Sequence, residues 1–366
     1  MKLIISFIIS TFFFSIQVLS TDGLSDNISI SHSFEAGNTI SSSKMNENFQ
    51  NLVDEINILR KEISKLNTLL KCEKSYSDCV NSCDAVGGIV SVYRYEENHF
   101  CLHTFLTSGT FNQNTTREID ILLVAGGAGG GADNSGGGGA GGLIWETNKL
   151  ITVDGYQVIV GEGGEGATNN GGNGTSSNGE DSTVFGLSAI GGGAGSNGGT
   201  GNSAGNGGSG GGGNGEGDPL PGLGLTSQGN DGGNGSTQAG GGGGGAKQPG
   251  DDADENFGGK GGMGSNDFIS GDVFETNAFL SAGNGLSGVG EKIGTHYFLA
   301  GGGGGGSIND SYFLADGGYG GGGKGGRSPT SGLPNTGGGG GGLTYPGSTG
   351  NNAGGSGIVM IRYLMP

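Results

Sequence analysis

Residues 119–145 read IDILLVA, then GGAGGGADNSGGGGAGG, then LIW, so an apolar β-type run leads into a glycine block and out of it again. The last residues, 354–366, read GGSGIVMIRYLMP and reverse that order. Between them, glycine blocks alternate with brief apolar runs at 150–160, 183–190, 268–280, 296–300 and 312–315. We therefore expect residues 119–124 and 358–363 to be neighbouring strands of one sheet that closes around the glycine blocks.

Composition decides how the glycine blocks fold. With 92 Gly in 366 residues and only 31% hydrophobic residues, an ordinary leucine-rich core is excluded. A disordered linker does not carry β-branched and aromatic runs at intervals, and 7 Pro without a strict Gly-X-Y period exclude collagen. Packed polyglycine II helices remain, which bond laterally to neighbours at a separation that only glycine permits. The predicted fold is mainly β with packed polyglycine II helices, preceded by an α-helical coiled coil.

The charge balance excludes some classes of partner. The formal net charge is −18, the isoelectric point is near 4.4, and Lys and Arg form no cluster. Binding to a phosphate backbone or to an anionic membrane surface requires clustered cations. We expect neither nucleic acid nor a membrane as a partner.

Residues 1–20 have the features of a secretory signal peptide. Lys2 precedes an apolar run over residues 3–19, and Val18 and Ser20 stand at the −3 and −1 positions of a cleavage site. An uncleaved anchor is the alternative, but the run is short and contains serines. No later segment has the roughly 20 apolar residues that a bilayer span needs. We expect a secreted, extracellular chain in which residues 21–44, rich in Ser and Asn, form a flexible linker.

Residues 45–71 carry the a/d seam of a coiled-coil helix. Apolar residues recur alternately four and three positions apart, at Met45, Phe49, Leu52, Ile56, Leu59, Ile63, Leu66 and Leu70. β-Branched residues at a with Leu at d favour a parallel dimer, Glu55 and Arg60 have the spacing of an interhelical salt bridge, and a trimer stays open. The alternative is an amphipathic helix that packs on its own domain.

The start of this helix carries a resemblance. Residues 31–52, SHSFEAGNTISSSKMNENFQNL, resemble a segment near the start of many secreted or tail-fibre-type proteins of bacteria and phages. In those proteins a Phe-x-x-Gly turn leads into a Met-Asn-x-Asn-Phe helix start, matched here by Phe34, Gly37, Met45, Asn46, Asn48 and Phe49. The resemblance implies an attachment or oligomerisation stalk.

The cysteines lie in a connector, residues 72–98, and in the run after it. In a secreted chain, Cys72, Cys79, Cys83 and Cys101 predict two disulfides with three connectivities. On one helix, Cys72 and Cys79 would lie about 10 Å apart, too far to bridge. We favour Cys101 with Cys83 or Cys79, which leaves Cys72 to meet its copy on a neighbouring chain.

From residue 88 the apolar period changes to two. Residues 89–95 and 99–105 are β-type runs around a polar turn, which predicts a hairpin. His99, Cys101 and His103 alternate on one face of the second run, a pattern that suits a metal. A disulfide at Cys101 with ordinary sheet histidines explains the pattern better. We expect no metal and no cofactor.

The ordered series of glycine blocks carries a second resemblance, over residues 99–366. Its segments include HTFLTSGTF at 103–111, YQVIVGEGG at 156–164, AGGGGGGAKQPG at 239–250, FLAGGGGGG at 298–306 and the closing GGSGIVMIRY. In that order they resemble the glycine-rich domain of phage tail-fibre adhesins and of secreted bacterial, algal and large-virus proteins. A remoter similarity is to anaplastic lymphoma kinase-type receptor ectodomains. The resemblance implies a small β scaffold, a bundle of polyglycine II helices, recognition by the loops between them, and no general catalytic residues.

Enzyme motifs are weak throughout the chain. Gly207, Ser209 and Gly211 have the spacing of a nucleophile elbow, but no strand-to-helix context surrounds them. Lys260 and Lys324 are each followed by Gly, where a phosphate-binding loop has Ser or Thr. We expect no enzyme activity.

An acidic cluster at residues 251–256 suggests calcium but lacks the pattern of a calcium loop. Phe257 stands where an EF-hand loop has Gly, and no Glu closes the loop. We expect a solvated loop.

Surface positions are predicted from sequons and aromatic residues. In a eukaryotic host, glycosylation sequons mark exposed loops at Asn27, Asn114, Asn173, Asn234 and Asn309. Binding contacts are expected from aromatic residues between the glycine blocks, namely Tyr297, Phe298, Tyr312, Phe313, Tyr319 and Tyr345.

These features predict a secreted, oligomeric, non-catalytic adhesin or surface-recognition protein whose partner is a cell-surface glycan or protein. The alternative is a structural extracellular matrix or coat protein, in which the glycine helices themselves give strength. An adhesin stays a soluble oligomer, whereas a matrix protein assembles into insoluble material.

Overall fold

The computed structural model describes residues 76–168, 174–199, 203–215, 220–308, 315–344 and 351–365, with helical positions 50, 51, 53, 54, 56, 57 and 59. The chain divides into two compact units, residues 1–79 and 80–366. In the first unit, the Gln50 side-chain amide donates to Asp54 Oδ1 at 3.1 Å. Ile56 and Leu59, an a and a d position of the predicted seam, are 39% and 40% exposed. Most of the predicted coiled coil lies outside the described residues and stays a prediction.

The described helices and strands are short. In chain order they are α1 (Tyr76–Ser82), β1 (Ile89–Tyr95), β2 (Asn98–Phe105), β3 (Gly109–Gln113), β4 (Arg117–Val124), β5 (Leu143–Ile151), β6 (Asp154–Val158), β7 (Ser182–Val184), β8 (Leu187–Ala189), α2 (Val273–Leu286), β9 (Glu291–Ile293), β10 (His296–Phe298) and β11 (Ile358–Leu364). The described part of the chain is therefore mainly β.

A sheet in the order β1-β2-β11-β4-β5 is the scaffold of the second unit. All of its neighbouring strands are antiparallel. Between β11 and β4, Ile358 lies opposite Val124 and Arg362 lies opposite Asp120. The predicted pairing of the strand before the first glycine block with the strand after the last one is confirmed.

The predicted hairpin is confirmed as β1 and β2, with Tyr95 opposite Asn98 at its turn. β1 comes from the segment that the sequence placed in the connector, and it forms an edge of the scaffold sheet. A disulfide joins Cys83 to Cys101 on β2 with the Cα atoms 5.8 Å apart, which confirms one of the two favoured partners of Cys101. Cys79 is also disulfide-bonded, and Cys72 lies outside the described residues.

Helix α2 covers one face of the scaffold sheet. Asp272 caps it, because its Oδ1 accepts from the backbone N–H groups of Phe274 and Glu275 at 2.7 and 3.1 Å. Phe279 and Leu280 of α2 are fully buried against a cluster that includes Met360 of β11. The apolar run at 268–280 thus contributes a helix to the core.

Arg362 of β11 joins this helix to the sheet. Its Nε donates to Asp120 Oδ2 at 2.8 Å, and its Nη1 donates to Glu275 Oε1 at 2.8 Å and to the Tyr93 hydroxyl at 2.9 Å. The guanidinium carbon lies 5.0 Å from the centre of the Trp145 ring. The Arg362 side chain is only 6% exposed, and burial raises the pKa of Tyr93, so this hydroxyl stays protonated.

Backbone hydrogen bonds between segments hold the glycine array together. The array comprises the described residues of 125–142, 161–181, 190–264 and 299–357. In segment 125–131 every third N–H donates to the same neighbour. The pairs are Ala125 to Gly142, Ala128 to Gly139 and Gly131 to Gly136; Gly126 to Glu180 and Gly129 to Ser177; and Gly127 to Gly355 and Gly130 to Asn352. A three-residue repeat with lateral bonds is what polyglycine II packing requires.

Segment 136–142 lies at the centre of the array. Its N–H groups donate to segments 190–196, 240–245 and 337–342 at 2.8 to 3.1 Å, and its carbonyl groups accept from segments 125–131, 209–212 and 303–306. The central segment therefore has six hydrogen-bonded neighbours, and its N–H groups are bonded without any contribution from water.

The spacing of these segments requires glycine. A Cβ on Gly136 would lie 1.8 Å from the carbonyl oxygen of Gly212, and a Cβ on Gly138 would lie 2.2 Å from that of Ala128. Both distances are far below van der Waals contact, and the obstructing atoms are backbone atoms. Glycine is needed here for close approach of the backbones.

Candidate functional site

The second unit has two different ends. The chain enters beside the sheet, where Cys83 is bonded to β2 and the Ala85 N–H donates to the Tyr363 hydroxyl at 3.1 Å. It leaves through β11, and Met365 donates to the His99 carbonyl at 2.9 Å. Segments of the array run away from the sheet and return, as 125–131 and 136–142 do between β4 and β5. Both chain ends of the domain therefore lie at the sheet end.

Turns connect the segments at the opposite end, and we refer to residues 132–135, 234–238 and 252–257 as the far-end turns. Hydrogen bonds that link them are Gly215 N–H to Asn134 O, Gly306 N–H to Ser135 O, Ser307 Oγ to Asn256 O, and Ala253 N–H to Asn234 O. These bonds place the three turns at one end of the array.

Side chains fix the conformation of the far-end turns. Asp254 Oδ1 accepts from the N–H groups of Asn256 and Phe257 at 2.8 and 2.7 Å. Asp252 Oδ1 accepts from the backbone and the side-chain amide of Asn234 at 2.7 and 2.9 Å. Phe257, 42% exposed, is thereby presented on a tied turn.

The acidic cluster at 251–256 forms part of these turns. Asp252 and Asp254 use carboxylate oxygens to accept backbone hydrogen bonds. Among the described residues, no group of three or more His, Cys, Asp or Glu side chains is placed to hold a metal ion. The cluster shapes the turns and gives the end a negative charge.

The trio of His99, Cys101 and His103 is not a metal site, because Cys101 is in the disulfide. His103 is fully buried and donates from Nδ1 to the Gly87 carbonyl at 2.8 Å, while the Tyr363 hydroxyl donates to its Nε2 at 3.3 Å. Burial lowers the pKa of His103, so the ring stays neutral. The same burial raises the pKa of Tyr363 to about 12.

Three of the six aromatic residues predicted as contacts, Tyr297, Phe298 and Tyr319, belong to the described residues. Tyr297 is half-buried against the α2 core cluster, and the Lys292 Nζ lies 5.4 Å from its ring centre. Tyr319 is 49% exposed, and its ring centre lies 5.7 Å from that of Phe298. Tyr312, Phe313 and Tyr345 lie outside the described residues, and their role stays a prediction.

Two of the predicted glycosylation positions can be placed. Asn114 and Asn234 are both exposed, as a glycan acceptor must be. Asn27, Asn173 and Asn309 lie outside the described residues.

Asn and Asp side chains at the edge of the array were missed by the sequence analysis. Asn178 Oδ1 accepts from the Ala194 N–H and Asp181 Oδ1 from the Gly191 N–H, both at 2.8 Å. The two accepting side chains are three residues apart, and so are the two N–H groups that donate to them. The side chains therefore accept the hydrogen bonds that the carbonyl groups of a further glycine segment would accept. Asn206 does the same for Leu223 at 2.7 Å, and Asp231 for Gly224 at 2.8 Å. The readable signal was Asn or Asp at three-residue spacing beside glycine.

Comparison with known proteins assigns the chain to a family. Among the described residues no helix combines the length and the apolar character of a membrane span. The curated proteins contain no significant match to this chain. The family model for the glycine-rich domain, however, matches residues 106–364, from the end of β2 through β11, and the chain therefore belongs to the glycine-rich domain family.

Proposed function

We propose that this chain is a secreted, oligomeric and non-catalytic recognition protein, an adhesin in the broad sense, that binds a cell-surface glycan or protein through the two exposed far-end turns, residues 234–238 and 252–257. The two-ended domain carries this proposal. Residues 83–85 and Met365 lie at the sheet, so the exposed far-end turns are at the end of the array opposite to the strands by which the chain enters and leaves the domain.

Exposed apolar residues in the first unit support an oligomer. Ile56 and Leu59 belong to one heptad seam and are each about two-fifths exposed in the single chain. A parallel coiled coil of two or three copies buries such a seam, and it presents several copies of one domain to the same surface.

The edges of the array favour recognition over a structural matrix. A glycine array that grows by lateral addition needs free N–H and C=O groups at its rim. Asn178, Asp181, Asn206 and Asp231 occupy such N–H groups with their own side chains. This arrangement favours an array of fixed size.

Two measurements on the secreted full-length protein test the proposal. Light scattering should give a soluble dimer or trimer, and a cell-surface glycan and protein array should give binding. Phe257→Ser at the far end should weaken binding to the glycan and protein array. The same substitution at Phe274, a 77% exposed position of α2, should leave that binding unchanged. Insoluble assembly without array binding would instead support the matrix alternative, and a monomer without binding would contradict both functions.

A further inference from the structure

A small pocket lies where the edge strand β5 meets the array and the segment before α2. It has a volume of about 260 Å³ and is lined by Trp145, Phe268, Thr226, Ser227, Gln228 and Ser265, among others. This volume lies just below the usual range of small-molecule pockets, about 300–1,000 Å³, so only a small ligand fits. The pocket is separate from the far-end turns.

The aromatic wall of the pocket is formed by Trp145 and Phe268. Trp145 is the only tryptophan of the chain, and the two ring centres are 5.6 Å apart. Its ring is held from behind by Arg362 at 5.0 Å and by Phe279 at 5.4 Å. The orientation of the indole ring is therefore set by packing before any ligand arrives.

The Trp145 indole N–H is buried and has no hydrogen-bond acceptor among the described residues. Because this nitrogen is closed off from solvent, a ligand in the pocket meets the aromatic face of Trp145 and not its N–H group.

The opposite wall is a tied turn with free hydroxyl groups. The Gln228 and Gly229 N–H groups donate to the Leu225 carbonyl at 2.7 and 2.9 Å. The Gln228 side chain accepts from the Ile190 N–H at 2.8 Å, which anchors the turn in the array. Thr226 and Ser227 are exposed on this turn, and their hydroxyls have no hydrogen-bond partner among the described residues.

We propose that this pocket binds one neutral sugar residue of a glycan. The apolar face of the sugar ring packs on Trp145 and Phe268, and its hydroxyls bond to Thr226 and Ser227. No charged side chain lines the pocket, so a neutral sugar fits it better than an anionic one. This inference rests on the proposed recognition function and names the chemistry of one ligand class.

Because Trp145 is the only tryptophan, its fluorescence reports on this pocket directly. We would titrate the full-length protein with millimolar glucose, galactose, mannose, N-acetylglucosamine and, as the charged counterpart, glucuronate. At least one neutral sugar should give a saturable change that exceeds the response to glucuronate. The absence of a saturable change with every neutral sugar would overturn the proposal.

Variants separate binding in the pocket from other effects. Thr226→Val with Ser227→Ala should weaken the responding sugar at least tenfold, while Thr237→Val on a far-end turn should leave the titration unchanged. Trp145→Phe reduces the aromatic face on which the sugar ring packs, and calorimetry should show weaker binding of the same sugar. If the double variant Thr226→Val with Ser227→Ala and the variant Trp145→Phe both bound the sugar as tightly as the wild type, the assignment would be contradicted.

The outcome also separates this proposal from the proposed function. If the full chain bound to the glycan and protein array but no sugar changed its fluorescence, sugar binding in the pocket would be rejected and recognition by the far-end turns would stand. If a sugar bound at Trp145 but Phe257→Ser left binding to the glycan and protein array unchanged, the pocket would stand as a sugar site and recognition by the far-end turns would be rejected.

Discussion

At the scale of single residues, glycine acts in this protein by the absence of a side chain. In the centre of the array the atoms nearest to an added Cβ are carbonyl oxygens of neighbouring segments, as at Gly138, where Ala128 O would be 2.2 Å away. Backbone atoms that are themselves hydrogen-bonded cannot move aside without breaking several bonds. An added side chain therefore disturbs the hydrogen bonds of several segments at once.

Gly138→Ala should destabilise the domain strongly, by more than about 2 kcal/mol, because overpacking here displaces bonded backbone. Gly109→Ala is the matched control, since its Cβ would meet only the Phe105 ring edge at an ordinary 3.4 Å. Urea unfolding of both variants checks the difference. Equal stability of the two variants would contradict the packing described here.

His103 should make stability depend on pH. Burial lowers its pKa in the folded state, so the unfolded chain takes up a proton first as the pH falls. At and above a pH of about 6.5, the ordinary histidine pKa, the ring is neutral in both states and its contribution to stability is fully present. Below that pH the free energy of unfolding falls by at most about 1.4 kcal/mol per pH unit. Urea midpoints at neutral and mildly acidic pH should show this loss in the wild type and a smaller one in His103→Gln. The same loss in both proteins would exclude His103 as its source.

At the scale of elements, α2 is attached to the sheet by an ion pair as well as by apolar packing. Arg362 bonds to Glu275 on the helix and to Asp120 on β4, and both carboxylate side chains are only 18% exposed. Removing the arginine leaves two largely buried carboxylates without a cation. The helix and the sheet should therefore lose stability together.

Arg362→Met should cost about 3–5 kcal/mol, the range for breaking a buried ion pair by removing one partner. Arg94→Met is the control, because its pair with Glu97 is 58% and 94% exposed and such surface pairs contribute about 0–1 kcal/mol. Thermal unfolding of the two variants gives the comparison. A similar cost for both would mean that the Arg362 cluster adds nothing beyond packing.

The edges of the array should resist lateral association because of their Asn and Asp side chains. Asn178→Ala with Asp181→Ala frees the N–H groups of Ala194 and Gly191, which should cost about 1 kcal/mol for each lost bond and raise self-association. Glu162→Ala with Glu165→Ala removes two exposed carboxylates that accept no hydrogen bond among the described residues, and it keeps the backbone carbonyls that accept from Glu180 and Ser177. Sedimentation of both double variants distinguishes capping from a simple loss of negative charge.

At the scale of the whole molecule, the strands at the two ends of the glycine tract were predictable from sequence, since Ile119 to Val124 and Ile358 to Tyr363 are apolar runs bounded by glycine. The neighbours of each glycine segment were not, because the segments are nearly identical in sequence and only the folded array sets their order. Helix α2 was readable in part from Asp272 followed by Glu275, a cap with an acidic residue in the first turn, but Gly283 and Asn284 weaken its pattern.

The candidate site was harder to predict because it joins distant parts of the chain. Trp145, Thr226 and Phe268 lie in separate segments, and none of them belongs to a motif. Tyr297 was predicted as a contact residue, but α2, which sequence did not place, half-buries it. Exposure of an aromatic residue depends on which element covers it, and local sequence does not carry that information.

Hydrogen exchange of the glycine amides tests the central claim, that the glycine tract is an ordered array clamped by the scaffold sheet. Amides of residues 136–142 should exchange as slowly as those of β4 and β11, and all three should be released together at the free energy of global unfolding. Exchange of residues 136–142 at the rate of an unfolded chain, while β4 and β11 stay protected, would contradict the account.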